Sequence, residues 1–167
     1  MRAVLSIGSN LDDRRSLLDT VRQEFADSTV AVSGIYATPP WGVTDQDEFL
    51  NAVLLVDVDQ TPLELLRRGQ RLEEAAERVR VRKWGPRTLD VDVVQVLAAD
   101  GTELLSDDPV LTLPHPFAHQ RAFVLVPWLE ADPGAVLHGH TVSDLVAGLD
   151  HGEVAEVRRL EDFGPAA

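Results

Sequence analysis

Between Leu89 and Val93 apolar and acidic residues alternate strictly, and that alternation calls for a strand with one buried face and one polar face. Asp90 and Asp92 then point to the same side, their Cα atoms about 6 to 7 Å apart at the ~3.3 Å rise of a strand. Carboxylates so spaced can share one metal ion or bracket two, and a two-metal site at a phosphoryl group needs ions about 3.5 to 4 Å apart. Magnesium suits the pair because it prefers oxygen ligands and takes one or two carboxylates together with substrate phosphates. Just upstream, Arg78, Arg80, Arg82, Lys83 and Arg87 gather a third of the 15 basic residues. Alone, this would be a solvated charge run. Leading straight into two carboxylates, it suits a magnesium-bound polyphosphate.

The rest of the composition narrows the partners. A net charge of -13 argues against a nucleic-acid binder, whose affinity comes mainly from neutralising phosphates. A local basic patch on an acidic chain is better matched to a small anion. There is no cysteine, hence no disulfide framework and no thiolate metal site. No stretch approaches the ~20 apolar residues of a membrane span, and the N-terminal run is too short for a signal peptide. A single domain over residues 1–167, cytoplasmic, monomeric and without a membrane or nucleic-acid partner, is expected.

Along the chain, residues 2–7 form a first strand and Gly8-Ser9-Asn10 a turn. Leu17, Leu18, Val21 and Phe25 follow at helical spacing, with Asp12 or Asp13 as N-cap. Val30, Val32 and Tyr36 mark a second strand, and residues 49–58 a third. Thr61-Pro62-Leu63-Glu64 has the form of a capping box with proline at the first helical position, opening a helix to about Ala76. After the acidic strand come a turn at Gly101, a short helix over 141–149 and a last strand over 154–160. Strand, helix, strand, strand, helix, strand is the split βαβ pattern of an α+β, ferredoxin-like βαββαβ sandwich, here with a C-terminal extension. No glycine-rich phosphate loop is present, so a bound nucleotide would be held by arginines and metal.

Four blocks, LSIGSNL (5–11), YATPPWGVTDQDEFLNAV (36–53), RVRVRKWGPRTLDVDVV (78–94) and LPHPFAHQRAFVLVPW (113–128), together resemble the 6-hydroxymethyl-7,8-dihydropterin pyrophosphokinase family of folate biosynthesis. The resemblance implies transfer of pyrophosphate from ATP to the hydroxymethyl group of a dihydropterin, with release of AMP and use of two magnesium ions. It makes Asp90 and Asp92 the metal ligands, and Arg78 and Arg87 catalytic arginines of a mobile loop. Arg80, Trp84, Arg87, His115 and Arg121 become nucleotide contacts, with Gln70, Glu73 and Thr112 as weaker ones. Phe49 and Phe123 become the stacking pair for the pterin, Asn51 its edge-reading amide, and Thr38, Pro39, Trp41 and Trp84 further contacts. An amide offers both donors and an acceptor to such an edge. Without the resemblance, Phe49 and Phe123 would pass for core residues, Asn51 for a strand-end cap and His115 for a packed turn residue. Val110 stands where some members carry an arginine near the nucleotide, and Glu77 where many have glycine.

Two other classes compete. A metal-dependent nuclease or glycosyltransferase could use the Asp90/Asp92 pair, but would leave Phe49, Asn51 and Phe123 unexplained. A non-catalytic nucleotide-binding module would need no second pocket. His115 with His119, and His138 with His140, invite a zinc site but lack a third ligand at suitable spacing.

Overall fold

The computed structural model describes residues 1–10, 13–39, 48–78 and 89–164. Its elements are β1 (Arg2–Ser9), α1 (Arg14–Glu24), β2 (Thr29–Val32), β3 (Ile35–Thr38), β4 (Phe49–Asp57), α2 (Pro62–Arg78) and β5 (Asp90–Leu97). Then follow β6 (Ser106–Asp107), β7 (Thr112–Leu113), α3 (Ala122–Ala131), β8 (Val136–Leu137), β9 (His140–Thr141), α4 (Val142–Ala147), α5 (His151–Ala155) and β10 (Arg158–Glu161).

Local chemistry starts both large helices where the sequence predicts. The Asp13 carboxylate accepts the Ser16 N–H at 3.2 Å, capping α1. Thr61 and Glu64 exchange side-chain-to-backbone bonds of 3.0 and 3.2 Å, a complete capping box ahead of α2. Midway along α2, a Cβ on Gly69 would lie 3.0 Å from Val91 Cγ1, so the missing side chain lets the helix settle against β5.

The main sheet runs β10-β3-β4-β1-β5, with β2 also paired to β4, and every pairing is antiparallel. Counting β2 and β3 as halves of one strand, this is the ferredoxin-like order, extended at one edge by β10. The second strand breaks at Ser33: its N–H still donates to Val53 O at 2.9 Å, but its hydroxyl, which donates to Gly34 O at 2.7 Å, accepts the Val53 N–H at 2.9 Å in place of its backbone carbonyl. β1 does not turn at Gly8: it pairs through Ser9, because β4 supplies partners to its end. Beyond α4, Asp150 caps a separate α5, so the last strand starts at Arg158 rather than at 154.

Both faces of the sheet are covered. Ala3, Leu5 and Ile7 pack with Leu18, Val21 and Phe25 of α1 and with Leu65 and Ala76 of α2. Val4, Val53, Leu55 and Val94 pack on the other side with Val124, Leu125 and Trp128 of α3 and Val142 of α4. A sandwich of two layers thus gains a third from the C-terminal part of the chain. Two-sided burial explains why β1 and β4 read as near-continuous apolar runs instead of alternating ones.

One irregularity aims the acidic strand. In the β1–β5 pairing Val4 faces Gln95 and Leu5 faces Val93, so Val94 has no opposite number. This bulge resets the alternation. Val96 packs under α1 and α2, and so do Val91 and Val93, which places Asp90 and Asp92 on the α3 face. Without the extra residue the same helix-side packing of Val96 would turn both acids under the helices. Among the described residues no helix is long and apolar enough to cross a membrane.

Candidate active site

On the α3 face, where α3 leaves the sheet uncovered, lies a cavity of about 620 Å³. Strand register lays out its floor. Asn51 on β4 faces Gly8 on β1, which faces Asp90 on β5; in the next row Val53 faces Ser6, which faces Asp92. Both carboxylates are half-buried. Asn51 is 4 % exposed and donates through Nδ2 to Thr38 Oγ1 at 2.9 Å. It is therefore no strand-end cap: its amide lies within β4 and bridges to β3. Thr38 faces Phe49 across the same pair of strands. From above, Phe123 and Arg121 reach the cavity from the start of α3, and Phe49 and Pro39 complete that side. Phe49 and Phe123 are only half-buried, unlike core phenylalanines such as Phe25.

Around the outer edge of β5 stands a second group. The His115 N–H donates to Val94 O at 2.8 Å, so the turn after β7 is fastened to the strand carrying the acids. Its Nδ1 accepts the Phe117 N–H at 3.3 Å, which leaves Nε2 to carry the proton of the neutral ring. Burial pulls the imidazole below its ordinary pKa, Asp92 opposes the fall and Arg121 adds to it. The Arg121 guanidinium lies 5.5 Å from the Phe117 ring centre and 5.6 Å from that of Phe123. Glu73 on α2 accepts the Val91 N–H at 2.9 Å, between the two acids in sequence. Thr112 Oγ1 donates to Asp108 O at 3.1 Å, and Gln70 accepts from Arg67 at 2.9 Å. Arg78 ends α2 and is exposed.

The structure thus brings Thr38, Pro39, Phe49, Asn51, Asp90, Asp92, Arg121 and Phe123 into one cavity wall. Gln70, Glu73, Arg78, Thr112 and His115 are not part of that wall among the described residues. Arg80, Trp84, Arg87 and Trp41 lie outside the described residues. Among the described residues no three His, Cys, Asp or Glu side chains gather as a metal-holding group. Two carboxylates alone, half-buried on a cavity floor, are the donor set that fits a magnesium ion completed by substrate oxygens.

Comparison with known proteins bears on what such a cavity serves. Residues 4–133 match the family model described as 7,8-dihydro-6-hydroxymethylpterin-pyrophosphokinase. The chain belongs to that family. It is 51% identical over 142 residues to the 2-amino-4-hydroxy-6-hydroxymethyldihydropteridine pyrophosphokinase of Mycobacterium tuberculosis, covering 81% of this chain and 75% of that one. It is 44% identical over 160 residues to the protein of the same name from Methylorubrum extorquens, covering 93% of this chain and 98% of the other. Among solved structures, the fold is similar to Plasmodium falciparum HPPK-DHPS, with a TM-score of 0.62 and 14% identity over 87% of this chain. This chain spans 44% of that much longer one, and the likeness concerns the fold.

Sequence reasoning missed several wall residues. The sequence reads Ser6 as part of a strand and Gly8 as part of a turn and gives neither a site role, and register puts both on the cavity floor. Gln120, Glu153, Glu156 and Val157 also reach the cavity. The last three lie beyond the family match, which ends at residue 133. Their approach depends on how α5 packs, for which the local sequence has no signal.

Proposed function

We infer that this pyrophosphokinase-family chain transfers pyrophosphate from ATP to the hydroxymethyl group of 6-hydroxymethyl-7,8-dihydropterin, releasing AMP, in folate biosynthesis. The observation that carries the reading is the row Asn51, Gly8, Asp90 across one cavity floor. Two strand spacings separate its ends, about 10 Å at ~4.8 Å per strand. A bicyclic ring read at its polar edge by Asn51 then carries its far substituent to the acid pair.

Transfer of the β and γ phosphates together requires the hydroxyl oxygen to attack the β-phosphorus. The bond from that phosphorus to the bridging oxygen breaks, and the electron pair leaves on AMP. The hydroxyl proton passes to a carboxylate of the pair or to solvent. Such chemistry depends mostly on positioning and charge stabilisation. Phe49 and Phe123 sandwich the ring, and Asn51, Thr38 and Pro39 fix its edge, with Trp41 and Trp84 as further contacts. Arg78, Arg80, Arg87, Arg121 and His115 face the nucleotide, whose surroundings include Gln70, Glu73 and Thr112. Asp90 and Asp92 would hold two magnesium ions, which would supply charge to neutralise the triphosphate. The same proposal takes residues 1–167 as one domain acting as a cytoplasmic monomer on small molecules.

Incubation with ATP, magnesium and the hydroxymethyl dihydropterin, followed by nucleotide analysis, tests the reading. AMP is the expected product; ADP would indicate ordinary phosphoryl transfer and overturn it. Asp92→Asn should lower AMP formation by more than about a hundredfold at an unchanged melting temperature, because the lost charge acts on the reaction and not on the core. Normal magnesium-dependent turnover in that variant would remove Asp92 from the metal site.

A further inference from the structure

The row of opposed residues on the cavity floor continues beyond Asn51. Asn51 faces Tyr36 on β3, and Tyr36 faces Arg159 on β10, so one line runs from the sheet edge to Asp90. Glu130 of α3 grips the outer end of that line. Its Oε1 accepts both the Gly34 N–H and the Tyr36 hydroxyl at 2.8 Å, and its Oε2 accepts from Arg159 Nε at 2.8 Å. Gly34 permits the arrangement, since a Cβ there would stand 2.7 Å from Arg159 Nη2. Tyr36 in turn is buried with Ala122 and Val157, and Phe123 and Val154 pack at the margin of that cluster. Ala122, Val157, Phe123 and Asn51 are themselves cavity wall. A continuous chain of contacts therefore joins Glu130 to the pocket, although Glu130 does not line it.

We propose that Glu130 is a positioning residue for the pterin half of the cavity, holding β3 and β10 at the spacing in which Asn51, Phe123 and Val157 meet the ring. This rests on the pterin assignment above. The exposed Arg159 pair contributes little alone. The bonds to Tyr36 and Gly34 are different: they are partly buried, and removing their acceptor leaves two donors unsatisfied. β3 keeps its pairing to β4, so the wall loosens while the sheet persists.

The test titrates dihydropterin into protein saturated with magnesium and a non-hydrolysable ATP analogue, and titrates the analogue separately. Glu130→Ala should bind dihydropterin about tenfold more weakly, or about 1.4 kcal/mol, with analogue affinity and kcat at saturating dihydropterin unchanged. Glu130→Gln, which keeps one acceptor oxygen for Tyr36 and Gly34, should recover most of the loss. An unchanged dihydropterin constant in folded Glu130→Ala overturns the proposal, and so does an equal loss for both ligands. If that variant does not fold, Tyr36→Phe, which removes the partly buried donor to Glu130, takes its place in both titrations, and the same two results overturn the proposal. A wild-type chain that binds no dihydropterin would refute the pterin assignment, and this proposal with it. Wild-type binding with unchanged variants refutes the Glu130 role alone.

Discussion

A single methyl group at Gly8 would intrude on the cavity floor. A Cβ there would lie 2.9 Å from Asn51 Oδ1, so the amide would have to swing away and give up its 2.9 Å bond to Thr38. Gly8→Ala should therefore fold, keep its affinity for ATP and bind dihydropterin about tenfold more weakly, the cost of about one buried hydrogen bond. Calorimetric titration checks this, and equal affinity would mean that the orientation of Asn51 is immaterial. Tyr36, the sole tyrosine, offers a second test. Burial, and then the hydrogen bond and charge of Glu130, push its pKa up to about 12, with Arg159 opposing. The unfolded chain loses this proton near pH 10. Between that pH and about 12 the folded state holds more protons, so the contribution of Tyr36 is complete below about 10 and drains as pH rises toward 12. Tyrosinate absorbance in the ultraviolet should show a midpoint near 12 in the wild type, moved toward 10 in Glu130→Gln. An ordinary midpoint in the folded wild type would contradict the network.

The helices start from local signals, and their caps can be tested as such. Thr61→Ala removes the hydroxyl that accepts the Glu64 N–H, and should cost about 1 kcal/mol, or roughly 2 to 4 °C in melting temperature, with activity intact. A thermal scan that does not move would make the box ornamental. β5 depends on more distant help. Among the described residues β1 is its only strand neighbour, and on the other edge Glu73 takes the Val91 N–H, Val94 O receives the His115 N–H and Leu97 forms an isolated bridge with Glu103. An edge strand carrying the two acids is thus held by side-chain and loop contacts where a neighbouring strand would otherwise pair. The spacing of Asp90 and Asp92 follows from the strand, but the face they occupy follows from the bulge at Val94.

Taken whole, the molecule is layered so that stability should grade outward from the middle of the sheet. β1 and β4 are paired on both sides and buried on both faces, whereas every residue of β10 is exposed and the β8–β9 hairpin has no further strand neighbour among the described residues. In native-state hydrogen exchange the amides of residues 3–7 and 52–56 should exchange only through global unfolding, and those of β10 and β9 through local opening. Protection of β10 equal to that of β1 would mean that the C-terminal strand unfolds with the core. The same layering explains what was legible beforehand. Helix starts, the acid-bearing strand and the candidacy of Asp90, Asp92, Asn51, Phe49 and Phe123, which the structure brings to one cavity, could be read from Asp13, the Thr61 box, a period of two and a family resemblance, because each is written in residues close in sequence or in a specific motif. The order of the ferredoxin-like sheet followed from the succession of elements. The break at Ser33, the strand character of Gly8, the bulge at Val94 and the reach of Glu153, Glu156 and Val157 into the cavity could not be read this way. Each depends on which distant residue stands opposite, and pairing register and packing are decided by contacts between segments far apart in the chain, whose energies leave no periodic trace in the local sequence.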